Sequence, residues 1–392
     1  MTLIMDNHYM GLLFLAGFAC ILCVPACAAE TVQPGPLPII SVIADPVYDS
    51  LLKPAKLGYL GADGAASIPI GNDRVLWIFG DTIIGSQAKG KRQGPMARNT
   101  IAIHEMTTGA AGTVKYFWDS KGRVPGGFFQ PESSASLNWY WPGCGVMIDG
   151  TAHLFLTKLR SKISFDMSSF QTVGCTLFRV ANPLDPPHSW RITRAELGFG
   201  NDHFNINTAA MAEGNYLYMI GYHDGPLNLP QQRAGILCRV PVAALKSDDP
   251  AKSFEFWSEG DQWLASHKHL KPLFRPGMTE SSLHYDPVTK RYITVAIKPF
   301  SPDLCLLSAE KLTGPWSAPQ KIHDIPGIDD NKKHLAYAGR AHPILSSDPN
   351  ELVITYVINT TDFWGVFSEL DIYYPRFVRA AFGADTGTAG AK

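Results

Sequence analysis

The stretch GVMIDGTAHLFLT, residues 145–157, contains an apolar segment, an Asp-Gly turn and a second apolar segment. A similar pattern recurs over residues 209–222, where Glu213-Gly214-Asn215 makes the turn. Alternation of side chains and enrichment in aromatic and β-branched residues favour strands over helices in both stretches. A hairpin that recurs along a chain predicts a fold built from repeated β units.

Five such units can be followed, each with two paired strands, a third strand and often a Trp-containing segment. Their first two strands are predicted at Ala65–Ile70 and Val75–Phe79, Gly145–Ile148 and His153–Thr157, Ala209–Ala212 and Tyr216–Tyr222, Ser281–Tyr285 and Tyr292–Ile297, and Ala341–Leu345 and Leu352–Ile358. Residues 373–381 complete or close the last unit. Repeated units of this kind predict an all-β fold, a five-bladed β-propeller.

The predicted organisation is a leader over residues 1–29, an N-terminal lead-in over 30–54, the propeller over 55–383 and a disordered tail over 384–392. The apolar run Gly11–Val24 is short for a bilayer span and precedes small residues that are typical of a cleavage region. Ordinary signal-peptide cleavage, cleavage before a lipid-anchored Cys27 and an uncleaved anchor all stay open. We expect export to the periplasm, the cell surface or the medium.

Charge and cysteine content narrow the class of protein. The formal net charge is -1 and there is no run of Lys or Arg, so we expect no nucleic-acid partner. Cys175, Cys238 and Cys305 lie in predicted strands and are interpreted as small buried apolar residues, while Cys144 is unassigned. No motif indicates a cofactor, a metal site or a nucleophilic serine.

Catalytic candidates follow from propeller geometry, because residues before inner strands and after second strands converge at one face. Asp63 and Glu280 precede predicted inner strands, and Asp81 follows a second strand. Glycoside hydrolysis needs one protonated and one ionised carboxyl group. We expect Asp63 and Glu280 to form this pair, with Asp63 ionised and Glu280 protonated, and Asp81 to be a further catalytic candidate.

Substrate-binding candidates at the same face are aromatic, amide and charged side chains, which stack on sugar rings or bond their hydroxyls. They are Glu132, Trp139, Tyr140, Trp141, Asn205, Asn207, His223, Lys298, Arg340 and His342. Residues 85–94 are expected to form a loop that shapes the cleft.

Three motifs, GADG over 61–64, WIFGDT over 77–82 and TESSLHYDP over 279–287, resemble the domain-of-unknown-function 4185 family. Members of that family look like five-bladed propeller glycosidases, and some act as endo-D-arabinanases. The resemblance implies an exported glycoside hydrolase with an arabinan among its candidate substrates. The chain lacks the Asn-Asp-Pro-Asn-Gly opening and an obvious Arg-Asp-Pro motif of invertase-type propellers, so an acid in the second blade is not identified.

Two other classes stay open. A propeller can serve only as a platform, so a non-catalytic glycan-binding or protein-binding role is the main alternative. A sialidase is disfavoured, because the chain lacks recurrent Ser-x-Asp-x-Gly-x-Thr-Trp boxes and a clear arginine triad.

Overall fold

A computed structural model describes residues 33–108, 110–133, 136–162, 170–328 and 333–383. The predicted leader, the candidate lipidation site Cys27 and the predicted tail lie outside the described residues. Within the predicted lead-in, the chain forms strand β1 (Ile39–Ala44) and helix α1 (Pro46–Leu52). The Asp45 carboxylate caps α1 by accepting a hydrogen bond from the Tyr48 amide at 3.1 Å.

The first sheet follows the first predicted unit closely. Its strands pair in the order β3 (Ala66–Gly71), β4 (Arg74–Phe79), β8 (Thr100–Thr107) and β9 (Ala110–Phe117). A side sheet next to it in sequence contains β2 (Leu57–Ala62), β5 (Thr82–Ala88), β6 (Lys91–Gln93) and β7 (Met96–Ala97). The expectation of a loop over residues 85–94 was therefore wrong, since most of these residues pair as strands.

The second and third sheets have longer strands than the apolar runs predicted. The second pairs β10 (Asn138–Ile148), β11 (Thr151–Ser161), β12 (Phe170–Val180) and β13 (Ile192–Glu196). The third pairs β14 (Phe204–Glu213), β15 (Tyr216–His223), β16 (Ala234–Pro241), β17 (Glu255–Ser258) and β18 (Gln262–Leu264). In both sheets the inner strand begins before the predicted apolar segment, at Asn138 in β10 and at Phe204 in β14.

The fourth and fifth sheets complete the series. The fourth pairs β19 (His284–Asp286), β20 (Arg291–Ile297), β21 (Asp303–Ala309) and β22 (Gln320–Asp324). The fifth pairs β23 (His334–Ala341), β24 (Glu351–Thr360), β25 (Pro375–Phe382) and, as its outer strand, β1. The helical segments between strands are α2 (Gly365–Ser368) and the 3-10 turns Pro187–Ser189, Pro230–Gln232, Val242–Lys246, Pro250–Ser253, His267–His269 and Pro343–Leu345.

Buried apolar clusters join each sheet to the next and the fifth sheet to the first. Representative pairs, in ring order from the first sheet, are Ile68 with Leu154, Phe155 with Ile206, Leu237 with Leu307, Val295 with Ile354, and Phe377 with Trp77. Such burial removes most of the apolar surface of every strand from water, which is the main stabilising contribution. The all-β propeller predicted from the repeats is confirmed.

The four described cysteines are free and buried, as expected for Cys175, Cys238 and Cys305, and Cys144, which the sequence had left unassigned, is buried too. Cys144, Cys175 and Cys238 lie in one core cluster between the second and third sheets. Burial raises the pKa of the Cys144 thiol to about 12, so it stays protonated at neutral pH.

The inner strand of the fifth unit was predicted at Ala341–Leu345, and these bounds were wrong. The strand is β23, which ends at Ala341, and Pro343–Leu345 forms a 3-10 turn instead. Pro343 has no amide hydrogen and a fixed φ, so it begins a turn more readily than it continues a ladder. This shift changes where Arg340 and His342 lie.

Candidate active site

The starts of the inner strands surround a cavity of about 950 Å³ that is lined by Asp63, Asp81 and Glu280. Asp63 lies between β2 and β3, Asp81 lies between β4 and β5, and Glu280 precedes β19. The structure therefore brings together all three predicted catalytic carboxyl groups, from distant positions in the sequence.

Asp63 is held by the fifth sheet and by the segment after β4. The Tyr337 hydroxyl donates a hydrogen bond to Oδ2 of Asp63 at 2.6 Å and accepts one from the Asn359 amide at 2.9 Å. The Gly80 amide donates to the main-chain oxygen of Asp63 at 2.9 Å. A Cβ atom at position 80 would lie 2.1 Å from Oδ1 of Asp63, so only glycine fits beside this carboxyl group.

Glu280 is oriented by an irregularity in β23. Its Oε2 accepts a hydrogen bond from the Ala338 amide at 3.0 Å. Ala338 has a φ of 56°, in the left-handed region that residues with a side chain rarely adopt, and it lies where the β23–β24 register shifts between Tyr337 and Arg340. The strained backbone thus directs an amide hydrogen towards Glu280.

Asp81 connects the carboxyl cluster to aromatic side chains. Its Oδ1 accepts a hydrogen bond from the Trp141 indole at 2.9 Å, and its Oδ2 pairs with Arg98 at 3.1 Å. The Arg98 guanidinium also lies over the Trp139 ring, 4.6 Å from its centroid. Tyr373 donates to the main-chain oxygen of Asp81 at 2.9 Å.

Aromatic side chains line the cavity on two sides. Trp139, Trp141 and Phe170 belong to the second sheet, and the Trp141 and Phe170 rings meet edge to face at 4.9 Å. Phe363 and Trp364 lie between β24 and β25 of the fifth sheet, and they line the same cavity. Such rings offer apolar faces that can stack on sugars.

Burial is the main reason why the pKa of Asp63 lies well above its ordinary value, and the neighbouring Asp81 and Glu280 raise it further, while the Tyr337 hydrogen bond opposes the shift. Burial also raises the pKa of Glu280, but Arg340 and the Ala338 amide oppose this shift. These contacts favour the proton on Asp63, which is opposite to the roles expected from the sequence.

Burial raises the pKa of Asp81 as well, and Arg98 and Trp141 oppose the rise. Closely placed carboxyl groups in one cavity resist simultaneous ionisation, so at least one proton stays in the cluster over a wider pH range than in water. A retained proton beside an ionised carboxylate is the arrangement that acid–base catalysis requires.

Three of the predicted binding residues line the cavity: Trp139, Trp141 and Asn205. Trp139 and Trp141 share one side of β10 because side chains alternate along a strand, which also explains why Tyr140 is buried on the other side against Phe178 at 5.0 Å. The placement of Tyr140 at the substrate surface was therefore wrong.

Four further candidates do not line the cavity. Asn207 is buried and donates to the Phe155 carbonyl at 3.1 Å, and the exposed Glu132 pairs with Arg194 at 3.2 Å. His223 lies against Phe204, with 6.1 Å between ring centroids, and Lys298 is exposed. Asn207 fills an interface between sheets, because β14 begins at Phe204 and places this residue inside the strand.

Arg340 and His342 face a different cavity, of about 390 Å³, at the other ends of the inner strands. Arg340 donates to the main-chain oxygens of Thr208 and Ser281, at 3.1 and 2.7 Å, and His342 contacts Ser67 at 2.7 Å. The prediction that they bind substrate in the first cavity was wrong, because the inner strand ends where it was expected to begin.

Sequence reasoning missed several residues at the site. Tyr337 gave no signal, because it reaches Asp63 only through the packing of strands distant in sequence, and Arg98 gave none, because the pairing of β5 with β7 that brings it to Asp81 was not predicted. Phe170, Phe363 and Trp364 could have been found as aromatic residues next to strand ends, the same position that led to Trp139 and Trp141.

Within the described ranges, no group of three or more His, Cys, Asp or Glu side chains is placed to hold a metal ion. In the same part of the chain, no helix has the length and apolar character needed to cross a membrane.

The fold is shared with a solved structure. A candidate hydrolase from Bacteroides ovatus is similar over 86% of this chain and 90% of its own, with a TM-score of 0.69 at 15% identity, which shows the fold alone. A GH43_1 enzyme from Xanthomonas citri gives a TM-score of 0.46 at 11% identity, over 86% of this chain and 92% of its own. A xylan β-1,4-xylosidase from Bacillus halodurans gives 0.46 at 10% identity, over 86% and 54%. These two weaker likenesses carry no further argument.

The family model described as a domain of unknown function, DUF5005, matches residues 45–382. No curated protein matches the sequence. The resemblance to the domain-of-unknown-function 4185 family is not shown by these comparisons and stays a prediction from motifs. The matched span contains strands β2 to β25 and all three carboxyl groups of the cavity. The chain belongs to the DUF5005 family.

Proposed function

We propose that this protein is a glycoside hydrolase that uses Asp63 and Glu280 to cleave a polysaccharide. The observation that carries this proposal is the placement of both carboxyl groups in one cavity with aromatic side chains on two sides. Paired carboxyl groups supply the acid and the base or nucleophile that glycosidic cleavage requires, and aromatic rings supply the binding surface for sugar rings.

In the proposed reaction, the protonated carboxyl group donates its proton to the glycosidic oxygen as the bond to the sugar carbon breaks. The ionised carboxylate either removes a proton from the water that attacks the sugar carbon, or attacks that carbon itself and forms a glycosyl ester. On the second route, water then hydrolyses the ester and gives its proton to the first carboxyl group, which the leaving-group step had left ionised. Asp81 is a positioning residue in this scheme, because it holds Trp141 and Arg98 and helps to keep a proton on Asp63.

An arabinan is the first substrate to test, and D-arabinan in particular, because the motifs around Asp63 and Glu280 resemble a family with endo-D-arabinanase members. We would incubate the purified protein with D-arabinan, L-arabinan, xylan and fructan and analyse the released oligosaccharides. We expect products from D-arabinan that are lost in Asp63→Asn and Glu280→Gln. Unchanged product formation in both variants would contradict the assignment of the pair.

Export of the protein is a separate proposal, supported by the apolar run and small residues at the start of the sequence. Mass spectrometry of the protein from its native host would identify the mature N-terminus. A lipid-modified Cys27 would indicate a membrane-anchored lipoprotein, whereas a retained residue 1–29 segment would contradict cleavage.

A non-catalytic glycan-binding propeller is the second candidate, favoured by the exposure of Trp364, 72%, and Phe363, 57%, at the cavity. It predicts retention of a polysaccharide without any product. Under this alternative, Asp63→Asn and Glu280→Gln would leave retention nearly unchanged.

A further inference from the structure

Phe363 and Trp364, which we call the 363–364 platform, are large apolar side chains that lie mostly in solvent. Their exposed fractions are 57% and 72%, and their ring centroids are 5.4 Å apart, edge to face. Exposed aromatic side chains grouped at a cavity mark a binding surface more often than an isolated exposed residue does. Packing within the described part of the chain leaves these rings exposed, so they are free to stack on a ligand.

The platform stands on a rigid base. The buried Arg92 donates hydrogen bonds to the main-chain oxygens of Val366, Glu369, Leu370 and Ile372, and its side chain comes from β6 of the side sheet. Four charge-assisted bonds from one guanidinium fix this turn strongly. A platform that is ordered before binding loses little conformational entropy when a ligand stacks on it.

The position of the platform is set by the ring of sheets. Core clusters place the second sheet on one side of the first and the fifth sheet on its other side. Asp63 precedes the inner strand of the first sheet, Trp139 and Trp141 belong to the second, and the platform belongs to the fifth. The two aromatic surfaces therefore approach the Asp63 carboxyl group from different sides of the same cavity.

The charges of the cavity narrow the chemical class of the ligand. Among the described lining residues, Arg98 is the cationic side chain, and it is already paired with Asp81. Three carboxyl groups without a free cation disfavour uronates and phosphorylated sugars, whose negative charges would be repelled. Neutral sugars fit this environment, since hydroxyl groups can donate to carboxylates and apolar ring faces can stack.

We propose that the 363–364 platform is a second sugar-binding subsite, so that the cavity holds a neutral glycan chain extending past Asp63 towards both aromatic surfaces. This inference rests on the proposed glycoside hydrolase function, and it adds that cleavage falls within the chain. A ligand that needs both surfaces must contain several sugars, so affinity and cleavage rate rise with chain length.

The test uses the double variant Phe363→Ala/Trp364→Ala in the full-length protein. The matched control is Tyr285→Ala, an aromatic side chain with 44% exposure at the other end of the inner strand of the fourth sheet. Retention in native gels containing D-arabinan, L-arabinan, xylan or fructan measures binding without turnover. Cleavage of long chains and of trisaccharides from the same polymer measures the dependence on length.

We expect the double variant to bind the retained polysaccharide about tenfold more weakly, as for the loss of one or two aromatic contacts. Its cleavage of long chains should fall while cleavage of trisaccharides stays near the wild-type rate. The inference would be overturned if the double variant and the wild-type protein showed equal retention and the same dependence of cleavage rate on chain length. It would also be overturned if Tyr285→Ala lost as much retention and cleavage as the double variant. Retention that depends on the platform without cleavage by wild-type protein would overturn the hydrolase and leave the subsite standing.

Discussion

The hydroxyl of Tyr337 lies 2.6 Å from Oδ2 of Asp63, which joins the inner strand of the fifth sheet to the turn before the inner strand of the first. This bond stabilises the ionised form of Asp63 in a cavity where burial and two further carboxyl groups favour the protonated form. The acidity of Asp63 therefore depends on a residue from the far end of the chain.

Tyr337→Phe removes that hydrogen bond while keeping the ring. We expect the pKa of Asp63 to rise further, because the ionised carboxylate loses a hydrogen bond that stabilises it. The pH dependence of glycan cleavage would report this. The limb of the profile that reflects ionisation of Asp63 should move to higher pH, and a limb that moves to lower pH would contradict the role of the bond.

Asp63→Asn should stabilise the fold at neutral pH. The folded chain holds the Asp63 proton more tightly than the unfolded chain, so wild-type stability falls as pH rises above about 4, the ordinary carboxyl pKa. We expect the variant to unfold at higher urea concentration than wild type at pH 7, with an advantage of about 1 kcal/mol that vanishes near pH 3.

The control for that experiment is Asp303→Asn. The hydrogen bond from Lys321 lowers the pKa of Asp303, so the ionised form stabilises the folded chain above the ordinary pKa and the sign is reversed. This variant should lose stability at pH 7. The same direction of change in both variants would show that burial of Asp63 does not act as described.

Arg98→Met should weaken substrate binding more than it slows the chemical step. The change removes the cation above the Trp139 ring and the partner of Asp81, whose pKa then rises. We expect kcat/KM to fall about tenfold, mainly because KM rises. A tenfold change corresponds to a loss of about 1.4 kcal/mol in the free energy of substrate binding. A change in tryptophan fluorescence without a change in Tm would locate the effect in the aromatic surface. A fall confined to kcat would contradict it.

Arg92→Met should destabilise the fold by about 3 kcal/mol, because four main-chain oxygens lose a buried charged donor. Thermal unfolding measures this. Lys246→Met, which breaks an exposed ion pair with Asp149 at 2.8 Å, is the comparison and should leave Tm unchanged. Similar Tm values for the two variants would mean that the 363–364 platform does not depend on Arg92.

Local patterns were sufficient to predict most of the sheets. Asn72 and Asp73 adopt φ values of 51° and 54° in the turn between β3 and β4, and Asp149 and Gly150 make the same kind of turn after β10. Residues that tolerate these angles, placed between apolar strands, are a strong hairpin signal. The start of β23 was missed because its first residues carry no such turn and its ladder is interrupted at Ala338.

The candidate site was predictable to the extent that it follows from strand order. Asp63, Asp81 and Glu280 lie at strand ends that converge in any propeller, so position in the repeat was enough to find them. The predicted position of Arg340 was wrong because the predicted bounds of the inner strand in the fifth sheet were wrong by a few residues. Arg340 lies near the end of β23 and lines the smaller cavity, not the cavity that contains Asp63. The contacts of Tyr337 with Asp63 and of Arg98 with Trp139 depend on packing between sheets, which no local pattern encodes.

Strand β1 is the outer strand of the fifth sheet and pairs Ile39 with Phe382 and Ala44 with Val378. Among the described strands, β1 is made first and gains its partner only after β25 has been made. Pairing at this sequence separation is slow, since a long loop must close first. Until β1 pairs with it, β25 has an unpaired edge that can form hydrogen bonds with a strand of another molecule. The pairing of β1 with β25 therefore competes with association between newly made molecules.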